Sequence, residues 1–320
     1  MLKRRKKRIV VGMSGGVDSS VTVSLLQKQG FEVIGVTMQL LPKEEAKKSA
    51  CCNLDAVDDA KRVAYKMGIA HYTINSRDTF KEHVIDPFIQ TYAAGQTPNP
   101  CVECNRFIKF DELWRKADEI GCDMVATGHY SRIIKRSSGV YELREAKDKN
   151  KDQSYFLYML NQEKLKKIKF PLGNFTKDQI RELARDMGLV TANKPDSQEI
   201  CFVPKSYKHY IEPHLNASQK QTGPIINMAG DVLGQHQGLY HYTVGQRKGL
   251  NLASPIPLYV LDIKPETNTL VVGEKDQLQK NTLSLHTFTQ VNSDEALINK
   301  TFDVKLRYQM RPIKATVLKS

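Results

Sequence analysis

The apolar positions of the first half of the chain follow two periods. Short apolar runs at 8–12 (Arg-Ile-Val-Val-Gly), 31–38, 70–74 and 123–127 read as buried strands. Between them, apolar residues recur every three or four positions and predict helices. These cover 18–29, closed by Gly30, and 54–67, with Val57, Ala60, Val63, Ala64 and Met67 on one face and Gly68 behind it. Two more cover 79–92, interrupted at Pro87, and 107–120. Gly95, Pro98 and Pro100 mark 95–104 as a loop. Strands joined by crossover helices predict an α/β fold, a parallel sheet with helices on both faces. Segment 140–153 is charged and expected on the surface, 177–187 is an amphipathic helix stopped by Gly188, and 191–203 is a loop around Pro195. Past about residue 205 the pattern changes. Alternating stretches at 258–263, 269–272, 282–288, 301–308 and 315–318 predict a small β-rich, barrel-like region. The expected division is a first domain over 1–204, a small central domain over 205–274 and a barrel-like C-terminal domain over 275–320. The last is expected to be incomplete, since the sequence stops inside a predicted strand whose edge would be left open.

Composition narrows the class. The chain has 320 residues, with 48 Lys and Arg against 35 Asp and Glu, a formal charge of +13. Six of the positive charges form the run 3–8, and the rest of the chain is still basic. A basic body points to a polyanionic partner, with nucleic acid ahead of a membrane surface. Mean hydropathy is −0.45, and no apolar run approaches the ~18 residues of a membrane span. The basic start has no apolar segment behind it, so no secretory signal is read. Six cysteines are too few for a disulfide scaffold. The expected compartment is the cytoplasm, where a C-x-x-C such as Cys101/Cys104 is redox-active, catalytic or metal-binding. Cys51 and Cys52 are adjacent, an awkward geometry for two ligands of a structural zinc site. Cys122 reads as a small packed hydrophobe, Asp58 and Asp59 as a solvated helix face, and His71, His83, His209 and His286 as ordinary surface or core residues.

The strongest chemical signal is Ser14-Gly15-Gly16-Val17-Asp18-Ser19-Ser20, directly after the first strand and opening the first helix. Glycines let the backbone turn tightly, and its N–H groups, the serine hydroxyls and the positive helix end form an anion nest. It lacks the Gly-Lys-Ser/Thr ending of a Walker A loop and the G-x-G-x-x-G of a dinucleotide fold. The loop resembles the PP-loop of the N-type ATP pyrophosphatases, which implies an adenine nucleotide alpha hydrolase-like fold and transfer of AMP to an oxygen. Three further runs stand in order behind it: Thr97-Pro98-Asn99-Pro100-Cys101-Val102-Glu103-Cys104-Asn105, Thr127-Gly128-His129-Tyr130 and Lys151-Asp152-Gln153-Ser154-Tyr155-Phe156. Asp196-Ser197-Gln198-Glu199-Ile200-Cys201-Phe202 completes the set. Together they resemble the tRNA-specific 2-thiouridylase family from the first strand to the last residues.

That resemblance implies ATP-dependent 2-thiolation of the wobble uridine of tRNA. Uracil O2 is adenylated, sulfur arrives from a cysteine persulfide, and AMP and pyrophosphate leave. It implies Cys104 as nucleophile and Cys201 as persulfide carrier, with a disulfide closing after transfer. Gly12, Met13, Ser14, Gly15, Gly16, Val17, Asp18 and Ser19 would hold the triphosphate with Mg2+ as counter-charge, and Met38 and Gly128 would lie near the nucleotide. Asp18 would organise the loop and its metal. Thr97, Pro98, Asn99, His129, Lys151, Asp152, Gln153, Arg307 and Tyr308 would contact tRNA around the anticodon. A sulfur-relay or cysteine desulfurase protein would supply the persulfide. Some members carry Asp, a candidate acid/base, where this chain has Cys101, which leaves that role unassigned here; Cys101, Cys104 and Cys201 could instead hold a [4Fe-4S] cluster. Two other readings remain open here. One is a different PP-loop enzyme, either another tRNA thiolase or an amidating synthetase that needs neither Cys104 nor Cys201. The other is a non-enzymatic RNA-binding module.

Overall fold

The computed structural model describes residues 6–42, 54–192, 194, 200–204, 206–285, 288–291 and 296–319. Strands β1 (Arg8–Gly12), β2 (Glu32–Gln39), β3 (Ala70–Asn75) and β4 (Met124–Ala126) precede a hairpin of β5 (Arg132–Lys135) and β6 (Tyr141–Arg144) and a two-residue strand, β7 (Ile168–Lys169). Five of them form a parallel sheet in the order β3-β2-β1-β4-β7. Side chains of a strand alternate between faces. Ile9 and Val11 therefore pack under helices α1 (Val17–Lys28) and α2 (Leu54–Lys66), with Val23, Leu26, Ala60 and Val63. Val10 points the other way, onto Phe110, Leu113 and Ala117. All three β1 side chains are fully buried.

Two long helical segments depart from the sequence reading, each for a local reason. The helix expected over 79–92 is not interrupted at Pro87. It runs through Arg77–Phe80, Lys81–Ile85 and Asp86–Ala93, and its middle part widens to a π-helix. Pro87 falls in the first turn after the wide segment, where its missing N–H costs little. The loop expected over 95–104 ends early, because Pro100 opens a helix. That helix comprises Pro100–Glu103, a π-helical Cys104–Glu112 and Leu113–Glu119. The stretch 140–153 is exposed or half-buried along most of its length, as expected, yet it includes a strand and a buried carboxylate. Tyr141–Arg144 pairs with β5, and Asp152 is buried because its Oδ1 accepts the Ala146 N–H at 2.8 Å and its Oδ2 the Ser154 hydroxyl at 2.7 Å.

The later chain forms β8 (Gly223–Ile226), β9 (Val232–His236), β10 (Tyr259–Lys264) and β11 (Thr269–Gly273), one sheet in the order β10-β11-β8-β9. A separate hairpin pairs β12 (Thr301–Val304) with β13 (Ile313–Thr316). β8 and β9 had no counterpart in the sequence pattern. The described part of 282–288 is not a strand, and Leu283 and Leu285 lie exposed. The segment after β12 docks on the first part of the molecule: Tyr308 donates its hydroxyl to Asp152 O at 2.9 Å and stacks near Phe156, while Tyr155 donates to Leu306 O. No helix among the described residues is long and apolar enough to cross a membrane.

The apolar clusters set two stability predictions. Phe88, 1% exposed, meets Phe202 edge-on at 5.2 Å and Tyr92 at 5.1 Å. Phe88→Ala should destabilise the fold by about 3–5 kcal/mol, read as a lower denaturation midpoint. His129 follows β4 and is buried between Phe110 and Phe170. Burial first, then the neighbouring Lys109 charge, hold its imidazole well below the usual range. The unfolded chain binds a proton below about pH 6.5 that the folded chain refuses. Stability should therefore be full above that pH and decline as pH falls below it. His71, His236 and His241 are lowered too and act in the same direction. Denaturant titrations across that range should show the decline, with a shallower slope in His129→Gln.

Candidate active site

The loop after β1 is held on three sides. Met13 donates its N–H to Val36 O at 2.8 Å, and Thr37 donates its hydroxyl to Met13 O at 2.9 Å, so β2 fixes the exit from β1. Gly15 has φ +69, and a Cβ there would lie 2.1 Å from Ala56 O, so α2 closes on the bare backbone. From the other side the loop after β4 abuts α1: a Cβ on Gly128 would stand 3.0 Å from both Asp18 C and Ser19 N. Gly16 precedes α1 in extended conformation and makes no side-chain cap. The first-turn amides of α1 have no helical acceptors, the arrangement that suits a helix N-terminus to an anion. Ser14 N–H donates to Ser19 Oγ at 3.2 Å, and Ser19 and Ser20 both donate to Gly16 O, which fixes the hydroxyls around the turn. Val17 is buried beneath it.

Charges ring this loop. Both carboxylate oxygens of Asp18 accept from Lys177 Nζ at 2.8 Å, and Oδ1 also accepts from the Tyr130 hydroxyl at 2.8 Å. Lys194 Nζ lies 2.7 Å from Asp59 Oδ2 and 3.4 Å from Gly15 O. Asp59 is thus not part of a solvated face, because α2 turns it toward the loop and into an ion pair. Lys177 and Lys194 carried no signal in the sequence, and Tyr130 stood in a quoted run without a role of its own. Each is a single residue far along the chain, brought in by tertiary packing.

The thiols gather at the same sheet edge. Cys104 begins the π-helical segment and is 7% exposed, in a cluster with Leu40, Leu41, Phe80, Phe88, Ile108 and Phe202. Cys201 and Met38 pack against that same cluster. Phe202, edge-on to Phe80 at 5.5 Å, anchors the residue beside Cys201. Cys101 lies one turn before Cys104. The protein around its sulfur raises its pKa, the Lys109 ammonium opposes that, and the facing Cys201 adds to it. Cys122 is buried in the other cluster, under α/β packing. The structure holds Cys101, Cys104, Cys122 and Cys201 as thiols rather than a disulfide. Among the described residues no group of three or more Cys, His, Asp or Glu is arranged to hold a metal ion. Cys51, Cys52, His286 and 196–199 lie outside the described residues.

The residues expected at tRNA divide into two kinds. Thr97 and Asn99 are exposed and Pro98 half-buried, on a loop whose Gly95 packs against Ile263 of β10. Lys151 is half-buried and Arg307 exposed, the latter donating to Val244 O at 3.0 Å. His129, Asp152 and Gln153 face inward instead. His129 Nδ1 is 2.7 Å from Thr127 Oγ1 and its Nε2 3.5 Å from Lys109 Nζ. Gln153 Oε1 accepts the Tyr130 N–H at 2.9 Å. Met38 ends half-buried at the carboxyl end of β2.

A family model described as the tRNA methyl transferase HUP domain matches residues 7–205, and one described as the tRNA methyl transferase PRC-barrel domain matches residues 208–274. A protein of Clostridium perfringens named tRNA-specific 2-thiouridylase MnmA is 47% identical over 315 residues, covering 98% of this chain and 88% of the relative. Its namesake in Clostridioides difficile is 45% identical over 315 residues, covering 97% and 87%. A crystal structure of a 4-thiouridine synthetase–RNA complex with bound ATP aligns with a TM-score of 0.37 at 18% identity, covering 65% of this chain and 49% of that one. On the match over nearly its whole length, the chain belongs to the family whose curated members carry the name tRNA-specific 2-thiouridylase MnmA.

Proposed function

We propose that the protein is a tRNA-uridine 2-sulfurtransferase acting in the cytoplasm on the wobble uridine, with MgATP as co-substrate. The observation that carries the reading is the shared edge: the loop leaving β1 and the cluster of Cys104 and Cys201 at the end of β2 stand at the carboxyl side of one parallel sheet. A uracil carbonyl is a poor electrophile and oxide a poor leaving group. Attack of O2 on the α-phosphate expels pyrophosphate and turns the oxygen into part of AMP. The amides of residues 15–18 and the Ser14 and Ser19 hydroxyls hold the phosphates. Asp18 is the only acid in the loop Gly12–Ser19, and both its oxygens are engaged by Lys177, so Mg2+ enters as the nucleotide's own counter-ion.

Sulfur then arrives as a persulfide on Cys201. Its terminal sulfur bonds to C2 and AMP leaves with the oxygen. Cys104 attacks the Cys201 sulfur, so that the transferred atom departs with its electron pair and a Cys104–Cys201 disulfide remains for an external thiol to reduce. A sulfur-relay or cysteine desulfurase protein loads Cys201. Thr97, Asn99, Lys151 and Arg307 are the surface residues offered to the RNA, and the target base is everted to expose its carbonyl. The paired thiols favour this chemistry over the methyl transfer in the models' descriptions, which needs neither an adenylating loop nor a persulfide. They also disfavour an amidating synthetase.

Incubation with ATP, Mg2+, a persulfide donor and unmodified tRNA should yield 2-thiouridine derivatives on nucleoside mass spectrometry. Cys201→Ser and Cys104→Ser should make none. Full thiolation by Cys201→Ser would end the reading. Gly15→Ala forces a side chain into the left-handed region against Ala56 O, and ATP affinity should fall about tenfold, the equivalent of 1–2 kcal/mol, in equilibrium binding.

A further inference from the structure

A carboxylate in the first turn of a helix suits the helix dipole, but it opposes a polyphosphate seated on the same amides. Asp18 occupies that position in α1. Lys177 answers it from the far side of the chain. Its side chain is 7% exposed against 32% for Asp18, and its ammonium meets both carboxylate oxygens at 2.8 Å. The lysine is not a flexible surface cation. It is the first residue of helix α3 (Lys177–Asp186), whose entry is fixed by a capping box between Thr176 and Gln179 and by the Lys177 N–H donating to Asp148 Oδ2 at 3.0 Å. α3 in turn packs on α1 through Ile180 and Ala184 against Val17 and Val21. The Tyr130 ring lies 5.7 Å from the ammonium, while its hydroxyl holds Asp18 Oδ1.

We propose that Lys177 is a positioning residue for the nucleotide: it cancels the charge of Asp18 and fixes its carboxylate, so that the loop presents a net positive face to the phosphates. This rests on the reading of the loop as the ATP site. Removing the ammonium leaves a half-buried carboxylate beside the nest, and the penalty falls on phosphate-bearing ligands alone. Removing the carboxylate as well lifts that penalty.

The test is equilibrium binding of ATP, inorganic pyrophosphate and adenosine to the full chain in EDTA. Lys177→Met should weaken ATP and pyrophosphate about 10- to 100-fold, the scale expected of one uncompensated charge near the surface, and leave adenosine within about twofold. Lys177→Arg should retain most of the affinity. The double variant Asp18→Asn with Lys177→Met should return ATP affinity to within about threefold of Asp18→Asn alone. Unchanged pyrophosphate binding in Lys177→Met would overturn the proposal. So would parallel loss of adenosine and pyrophosphate, which marks a structural role, or failure of the double variant to recover. If the unsubstituted chain binds neither ATP nor pyrophosphate, the assignment of the loop itself fails instead.

Discussion

A strand buried on both faces can take neighbours on both edges, and β1 does so with consequences for the whole molecule. The chain leaves β1 toward β2 and β3, then returns across it to lay β4 on the opposite edge. The connections after β1 and β4 therefore diverge and leave a crevice at the carboxyl edge, the place where open α/β sheets bind ligands. The glycine-rich turn and the Gly128 turn are the two lips of that crevice, and the near contact of Gly128 with Asp18 and Ser19 shows how tightly they meet. A slip of one residue in the pairing of Ile9 with Val33 would move Met13 off Val36 and with it the turn.

The thiol side of the site is built on apolar packing. Cys104 is nearly enclosed, and Phe80, Phe88 and Phe202 interlock edge-to-face around it. Such an enclosure excludes water from an activated carbonyl, whose competing fate is hydrolysis. At the neighbouring Cys101, desolvation pushes the thiol's pKa up and the Lys109 ammonium counters this.

Much of this was legible in the residues. The strand at 8–12 announces itself by Ile9, Val10 and Val11, that at 31–38 by Val33, Ile34, Val36 and Met38, and the glycine-serine turn by its position between strand and helix. The misreadings have physical causes. Pro100 looks like a loop signal in sequence and acts as a first-turn helix residue in the structure. β8 and β9 form a short hairpin that holds Gly223, Pro224 and Gly234, and β8 takes its other partner, β11, from far along the chain, so their local pattern carries no strand signal. Asp152 and His129 are expected at tRNA by the family resemblance, and in the structure each makes hydrogen bonds within the fold. Lys177 gave no signal at all, since its meaning depends on Asp18, 159 positions away.

The wide winding of Cys104–Glu112 has a geometric corollary. Each π-type turn carries one residue more than an α-turn, so the phase of the side chains drifts along the segment. Cys104 and Ile108 look into the aromatic cluster, while Phe110, Leu113 and Ala117 look under the sheet. One continuous helical run thereby serves two separate interiors. Rewound as a regular α-helix in place, with its far end still keyed beneath β1, it would swing Cys104 around the helix axis and away from Cys201.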